Sequence, residues 1–341
     1  IIPHHRPYSM SLKILGGLSI ENLASHLLAI TVDFNNAEKL ELQHCLYQEG
    51  YTSGIQLRVG HDFTNTEPIA EFLSTLDSFG VPFIVHGPAE NMGVDLGEAL
   101  DEEGVFGRYQ QKNPEAKWGE FNRTALENAT YIASNAPLCL DPHVVIHPGY
   151  AGLNVKEDYA HSQGKILKAL NGYLRESPLT LETVPALLFN PDNSILTHFA
   201  FGGLSEEMII LRERQSPSFP RKVLLDFTHI GVTSNQMSQV PDLFSEVKTY
   251  EELIGDFLKL PYLSNFVHFS GHTSKLWDEH KGFLNEEAQD EYKHGVIKEA
   301  LKELQKRYAQ EGKDVYVALE IRFTDLEHSK REIGAFREQY E

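Results

Sequence analysis

Apolar runs of strand length alternate with longer amphipathic stretches along the whole chain. The runs are KILGG (13–17), GIQLRV (54–59), PFIVHG (82–87), HVVIHPG (143–149), LTLETV (179–184), KVLLDFTH (222–229), NFVHFSG (265–271) and VYVALEIRF (315–323). Most are rich in Val, Ile, Leu and Phe, as expected of parallel strands covered on both faces. Between them, IAEFLSTLDSFG (69–80), ALENATYIASNA (125–136), GKILKALNGYL (164–174), YEELIGDFLKL (250–260) and HGVIKEALKELQKRYAQEG (294–312) carry apolar residues at helical spacing. The last ends in basic residues followed by Gly312, which suits a helix C-terminus.

Eight strands in alternation with helices predict an α/β fold, a closed (β/α)8 TIM barrel. A doubly wound open sheet is the rival, with its ligand in a single switch-point crevice. The chain lacks a GxGxxG turn and a Walker-type GKS or GKT, so nucleotide-binding versions of the open sheet lose ground. Residues 1–12 read as an N-terminal extension or a cloning remnant, with Met10 as a natural start, and 13–341 as a single barrel domain. Residues 88–122 form a long, acidic, glycine-containing connection, which reads as a loop or lid with a short helix over one end of the barrel.

Composition narrows the class. Of 341 residues 41% are hydrophobic, enough for a large core. The two cysteines, Cys45 and Cys139, make no disulfide framework, which points to a reducing compartment and a cytoplasmic protein. No apolar run reaches membrane-spanning length and the start lacks the apolar core of a signal peptide, so no membrane partner is expected. The formal net charge of −19 repels polyanions and counts against a general nucleic-acid binder. It counts less against an enzyme that carries divalent cations, since each offsets two charges at the point of contact.

The chemistry gathers at one end of the runs. The third run ends in His86 and the fourth in His147. The fifth carries Glu182, the sixth Asp226 with His229 three residues on. The seventh carries His268, with Asp278 and His280 in the following loop, and the eighth carries Glu320. Each lies at or just after the C-terminal end of its strand, where such a barrel builds its site. Each is an imidazole or carboxylate able to bind a divalent metal. Taken singly, a strand-end His is more often a hydrogen-bonded core or rim residue, and a lone Asp or Glu a helix cap or surface pair. Nine on six successive strand ends are different. Burying them together without cations would cost many kcal/mol, so they predict a site for two or three divalent ions. His61, after the second run, faces the same mouth and is a candidate for touching substrate. His272 reads as a loop or outer residue, His143 and His198 as surface or packing residues.

The set His86, His147 (in HPG), Glu182 (in LET), Asp226-x-x-His229, His268, Asp278-x-His280 and Glu320 (in LEI) resembles endonuclease IV. That family comprises the trinuclear zinc apurinic/apyrimidinic endonucleases (AP endonuclease family 2) among the xylose isomerase-like TIM barrels. The resemblance runs from about residue 13 to about 325, with all nine ligand positions filled. It implies a DNA-repair hydrolase of phosphodiester bonds. His86, His147 and a bridging Glu182 would hold one ion. Glu182, Asp226, His268 and Glu320 would hold a second, and His229, Asp278 and His280 a third. A bridging hydroxide would attack phosphorus in line, with Glu182 and Glu320 as catalytic carboxylates and Glu320 helping to deprotonate the water. Zinc suits the donors, and manganese or iron tolerate them.

Departures from the family fall in its DNA-gripping parts. The tyrosine and apolar residue that follow the first His are replaced by HGPAENMG, with Ala89 and Glu90 in their place. The loop after the second strand reads VGHDFTN, and the Asn-Asp-(Ser/Ala)-Lys run after the seventh-strand His reads FSGHTSK. Damaged DNA is one expected partner, and a small phosphorylated or sugar substrate the other. UV-damage endonuclease is a related resemblance, although the Asp278-x-His280 pair fits endonuclease IV better. The alternative is a sugar isomerase or epimerase of the same superfamily. It would use one metal on Glu182, Asp226, His268 and Glu320, the two glutamates exchanging a proton and His229 touching the sugar. That reading leaves His86, His147, Asp278 and His280 without a shared purpose. A metal-storing or regulatory barrel has no sequence feature in its favour.

Overall fold

The computed structural model describes residues 13–19, 37–58, 74, 77–78, 80–87, 118–148, 150–152, 178–190, 195–200, 202–213, 222–271, 275–277, 280–285, 290–321 and 325–340. The strands, in chain order, are β1 (Lys13–Ser19), β2 (Gly54–Arg58), β3 (Phe83–His86), β4 (Cys139–Ile146), β5 (Tyr150–Gly152), β6 (Leu179–Glu182), β7 (Leu187–Asn190), β8 (Ile195–Ala200), β9 (Lys222–Asp226), β10 (Leu263–Phe269) and β11 (Tyr316–Leu319). The helices are α1 (Ala37–Gln48), α2 (Trp118–Asn135), α3 (Ser205–Glu213), α4 (Phe227–Gln239), α5 (Tyr250–Leu258), α6 (Glu291–Ala309) and α7 (Leu326–Tyr340).

All eight predicted runs become strands of one closed barrel, in the order β1-β11-β10-β9-β6-β4-β3-β2. Every neighbouring pair is parallel, including β1 with β2 and β1 with β11, which close the ring. The open-sheet rival is thereby excluded. Three features were not anticipated. β5, β7 and β8 form a separate antiparallel sheet in the order β5-β8-β7, built from the connections that leave β4 and β6. The run 222–229 is half strand and half helix: β9 stops at Asp226 and α4 begins at Phe227. Residues 118–122, expected in an irregular connection, open the long helix α2. The rest of that connection, the predicted helix 164–174, residues 1–12, His61, His272 and Asp278 lie outside the described residues.

Strand alternation divides the core in two. Ile55 and Leu57 of β2, Phe83 and Val85 of β3, Val223 and Leu225 of β9, and Val317 and Leu319 of β11 point outward and join the helices in one large cluster. Ile84, Val145, Leu224, Phe266 and Ala318 point inward and form a plug in the lumen. Both faces of β3, β4, β9, β10 and β11 are therefore apolar, which is why these runs read as continuous rather than alternating. No helix among the described residues is long and apolar enough to cross a membrane.

The N-terminal end of the barrel is tied by charge. Asp141 of β4 accepts from Lys222 Nζ at 2.7 Å and lies 2.6 Å from His143 Nδ1. His143, expected to be a surface or packing residue, is thus a hydrogen-bond partner of Asp141. Burial by itself would raise the Asp141 carboxyl. The hydrogen bond from His143 and the Lys222 ammonium outweigh it and bring the pKa down to about 2. A folded-state value below the ordinary carboxylate value adds stability above pH ~4 that disappears as pH falls towards 2. Asp141→Asn should cost about 2 kcal/mol at pH 7. Urea unfolding at several pH values should show the gap between variant and parent closing between about pH 4 and pH 2.

Candidate metal centre

The same alternation that builds the lumen plug builds the site. His86 lies two residues beyond Ile84, His147 two beyond Val145, and Asp226 two beyond Leu224. His268 lies two beyond Phe266, and Glu320 two beyond Ala318. Each plug residue is followed, on the same inward face and one step nearer the C-terminal mouth, by an imidazole or a carboxylate. Glu182 follows buried Thr180 in the same way. The chain thus stacks a polar layer directly on an apolar floor.

Glu182 is the centre of that layer and is fully buried. Its Oε2 lies 2.9 Å from His86 Nε2 and 3.3 Å from His147 Nε2. Its Oε1 lies 3.0 Å from His268 Nδ1 and 3.4 Å from His229 Nδ1. His268 Nδ1 is in turn 3.5 Å from Glu320 Oε1, and His229 Nδ1 is 3.5 Å from Asp226 Oδ2. Two donor groups share Glu182: His86 with His147, and Asp226 with His268 and Glu320. Within each group the possible ligand atoms all lie within 4.8 Å of one another.

Geometry separates this cluster from an ordinary hydrogen-bond network. His268 Nδ1 and Glu182 Oε1 are close, yet neither makes a hydrogen bond among the described residues, and His268 Nε2 makes none either. Their lone pairs are near one another without being aimed at one another. Buried polar atoms left in that state cost about 1–3 kcal/mol each. Donor atoms converging on a common point between them, where a cation sits, remove the cost. His86 argues the same way. Its Nδ1 lies 2.8 Å from Gly87 O and must donate to it, so a neutral ring turns a bare Nε2 towards the Glu182 carboxylate. Imidazole with carboxylate therefore fits one or more divalent cations.

Charge balance without a cation shows the same tension. Burial would raise the Glu182 carboxyl, but His268 and His147 outweigh it and hold the group well below its ordinary value. Burial pushes Asp226 up to about 6, against the pull of His229 and with further push from Glu182 and Glu320. Burial would lower His268, but Glu182 and Glu320 raise it. Three carboxylates and their imidazoles must share protons here, and a divalent ion would displace them.

Supporting residues fix the donors. Asp226 is the N-cap of α4: its Oδ1 accepts from Thr228 N at 2.7 Å and His229 N at 2.9 Å, leaving Oδ2 for the site. Thr183 Oγ1 accepts from Asp226 N at 2.8 Å, and Thr183 O receives His229 Nδ1 at 2.8 Å. The Nδ1 of His229 is thus committed to the strand end that carries Glu182. Thr228 Oγ1 and Ser270 join α4 to the end of β10.

His280 stands apart from the buried donors. It is exposed, 3.9 Å from Glu320 Oε2, and its ring centroid is 6.4 Å from that of His229. The loop that carries it is pinned at its base, where Gly271 N donates to Lys281 O at 2.7 Å. Beyond it, Glu332 accepts from Phe283 N at 2.6 Å and packs so closely on Gly282 that an added Cβ would sit 2.2 Å from its Oε1. The tip is held by Gln236 of α4, fully buried. Gln236 donates to Leu276 O at 2.7 Å and pairs with Leu187 N and O of β7 at 2.9 and 2.7 Å. One amide thus joins the segment leaving Glu182, the helix leaving Asp226 and the loop leading to His280. None of these supporting residues was picked out from the sequence.

Comparison with solved structures places the architecture. Over 96% of this chain and 97% of the other, it superposes on a D-tagatose 3-epimerase-like protein with TM-score 0.57 and 14% identity. Over 97% and 98% it superposes on a xylose isomerase-like TIM barrel protein from Mycobacterium smegmatis in complex with magnesium, with TM-score 0.51 and 10% identity. The fold it shares with them is the closed (β/α)8 TIM barrel. No family model matches the chain, and no curated protein matches it. Identities this low establish the barrel, not the reaction.

Gln236→Ala should leave three backbone groups short of a partner and destabilise the protein by about 2 kcal/mol. Hydrogen exchange should show the Leu187 amide exchanging faster, while the Val144 amide, bonded to Pro178 O at the far end of the barrel, keeps its protection.

Proposed function

We propose that the chain is a metal-dependent hydrolase of phosphodiester bonds, related in its site to endonuclease IV. The observation that carries this reading is the double use of Glu182. A single-cation isomerase needs only Glu182, Asp226, His268 and Glu320. Here His86 and His147 are brought onto the other oxygen of the same glutamate, and their burial with it is unexplained unless a second cation lies beside the first.

Bound divalent cations would offset the charge of a phosphodiester and acidify water at neutral pH. His86, His147 and Glu182 would hold one ion, and Glu182, Asp226, His268 and Glu320 another. The imidazole-rich first set suits zinc, with manganese and iron compatible. Glu320, 9% exposed at the mouth side of the layer, accepts the proton of the attacking water. The water oxygen would form its bond to phosphorus as the bond to the ester oxygen breaks, the departing alkoxide then taking a proton from solvent. His229, whose Nδ1 is held by Thr183 O, would with Asp278 and His280 hold a third ion that offsets charge on the departing oxygen. Damaged DNA is the proposed substrate, with a small phosphorylated compound as the other phosphoester candidate.

A second reading draws on the shared fold of the D-tagatose 3-epimerase-like protein and on the acidic surface, which does not hinder a neutral sugar. In it Glu182 and Glu320, both within reach of His268, exchange a proton with the sugar across one cation.

Metal analysis of the purified protein should find close to three ions per chain, and an abasic-site duplex should be incised. One ion per chain with turnover of a ketose would instead establish the epimerase. Glu182→Gln should empty two positions together, whereas His280→Ala should empty mainly the third. Equal losses from both changes would refute this allocation.

A further inference from the structure

Gln56 sits in the middle of β2, in register with Ile84 of the lumen plug, and is 3% exposed. Its neighbours Ile55 and Leu57 belong to the outer core, so Gln56 takes the inward position. It is a primary amide at the level of the apolar floor, to which β6 contributes Thr180. Its Nε2 donates to Glu320 Oε1 at 3.0 Å. The reverse amide orientation would set a carbonyl oxygen against a carboxylate, so chemistry fixes which atom faces Glu320. The other end of the amide, Oε1, is buried and has no hydrogen-bond donor among the described residues. A buried carbonyl oxygen in that state costs about 1–3 kcal/mol unless something in the site donates to it.

We propose that Gln56 is the positioning residue of Glu320, and that its Oε1 accepts a hydrogen bond from water or a substrate hydroxyl at the floor of the site. Glu320 is gripped at Oε1, where Gln56 is nearer than His268, and its Oε2 lies 3.9 Å from His280 Nδ1. A carboxylate fixed at one oxygen presents the other in a defined direction. An amide suits this task because it neither gives up nor takes a proton at neutral pH, so it holds Glu320 without competing for the proton that Glu320 is to accept. The second half of the assignment uses the same amide: an acceptor beside Glu320 orients a donor that approaches it. The role in turnover rests on the phosphodiesterase reading, whereas the grip on Glu320 does not.

The test uses the full chain carrying Gln56→Leu or Gln56→Met, which keep bulk and remove both hydrogen-bonding ends. Zinc and manganese affinities are measured by competition with a chromophoric chelator, alongside incision of an abasic-site duplex. Losing a partner of a metal-bound carboxylate typically costs roughly 10- to 100-fold in metal affinity or activity. Each folded variant should therefore hold one ion about that much more weakly, and lose a similar factor in kcat with KM within about threefold of the parent. Thermal unfolding reports whether each variant folds, and if the leucine form does not, the more adaptable methionine form decides. A folded variant that binds both metals and turns over within about twofold of the parent overturns the proposal. If the parent binds metal but leaves the duplex intact, the phosphodiesterase reading fails and the affinity measurement alone decides the role of Gln56. A parent that binds neither metal overturns both.

Discussion

A carboxylate with no access to water and imidazoles against both of its oxygens is the constraint around which this barrel is arranged. Glu182 could not remain ionised in an apolar interior alone, and the groups around it could not remain there without it. Ile84, Val145, Leu224, Phe266 and Ala318 form a buried apolar layer beneath it, which offers the cluster no charge. Compensation must come from within the cluster or from the mouth. Close approaches that fail as hydrogen bonds, such as His268 to Glu182, indicate that protein groups supply only part of it.

The supporting framework converts that local balance into larger structure. Asp226 belongs at once to the cluster and to the start of α4, and Thr183 ties its backbone to the strand that carries Glu182. Helix α4 then reaches, through Gln236, to the antiparallel sheet on one side and to the loop before His280 on the other. Ala186, Leu187 and Phe189 pack there with Val240, Leu243, Phe244 and Leu276 as a small apolar cluster outside the barrel. The mouth is thus walled by elements whose positions derive from the residues that ring the site.

Much of this was legible in the chain because strand periodicity and metal-ligand chemistry coincide. Eight apolar runs gave the barrel, and an imidazole or carboxylate at or just after the C-terminal end of six successive runs gave the cluster. What escaped notice had weaker signals. The strands of the antiparallel sheet span three to six residues and lie inside connections, where short apolar runs such as LLF resemble loop packing. The start of α4 was hidden because Phe227 continues an apolar run, although Asp226 followed by two open amides is a helix-start signal. Gln56 and Gln236 were passed over because an uncharged amide suggests neither metal nor proton transfer. The interrupted apolar run of GIQLRV was the available clue to the first. Asp278 and His61, singled out from the sequence, lie outside the described residues.

The double duty of Asp226 bears on how such barrels diverge. One of its oxygens terminates a helix while the other faces the cluster, so selection for folding and selection for chemistry act on the same side chain. A descendant that lost its reaction would still be penalised for placing alanine there, yet asparagine would satisfy the helix equally well. Persistence of an acid at this position, as opposed to a merely capping residue, is therefore the mark by which working members could be told from retired ones.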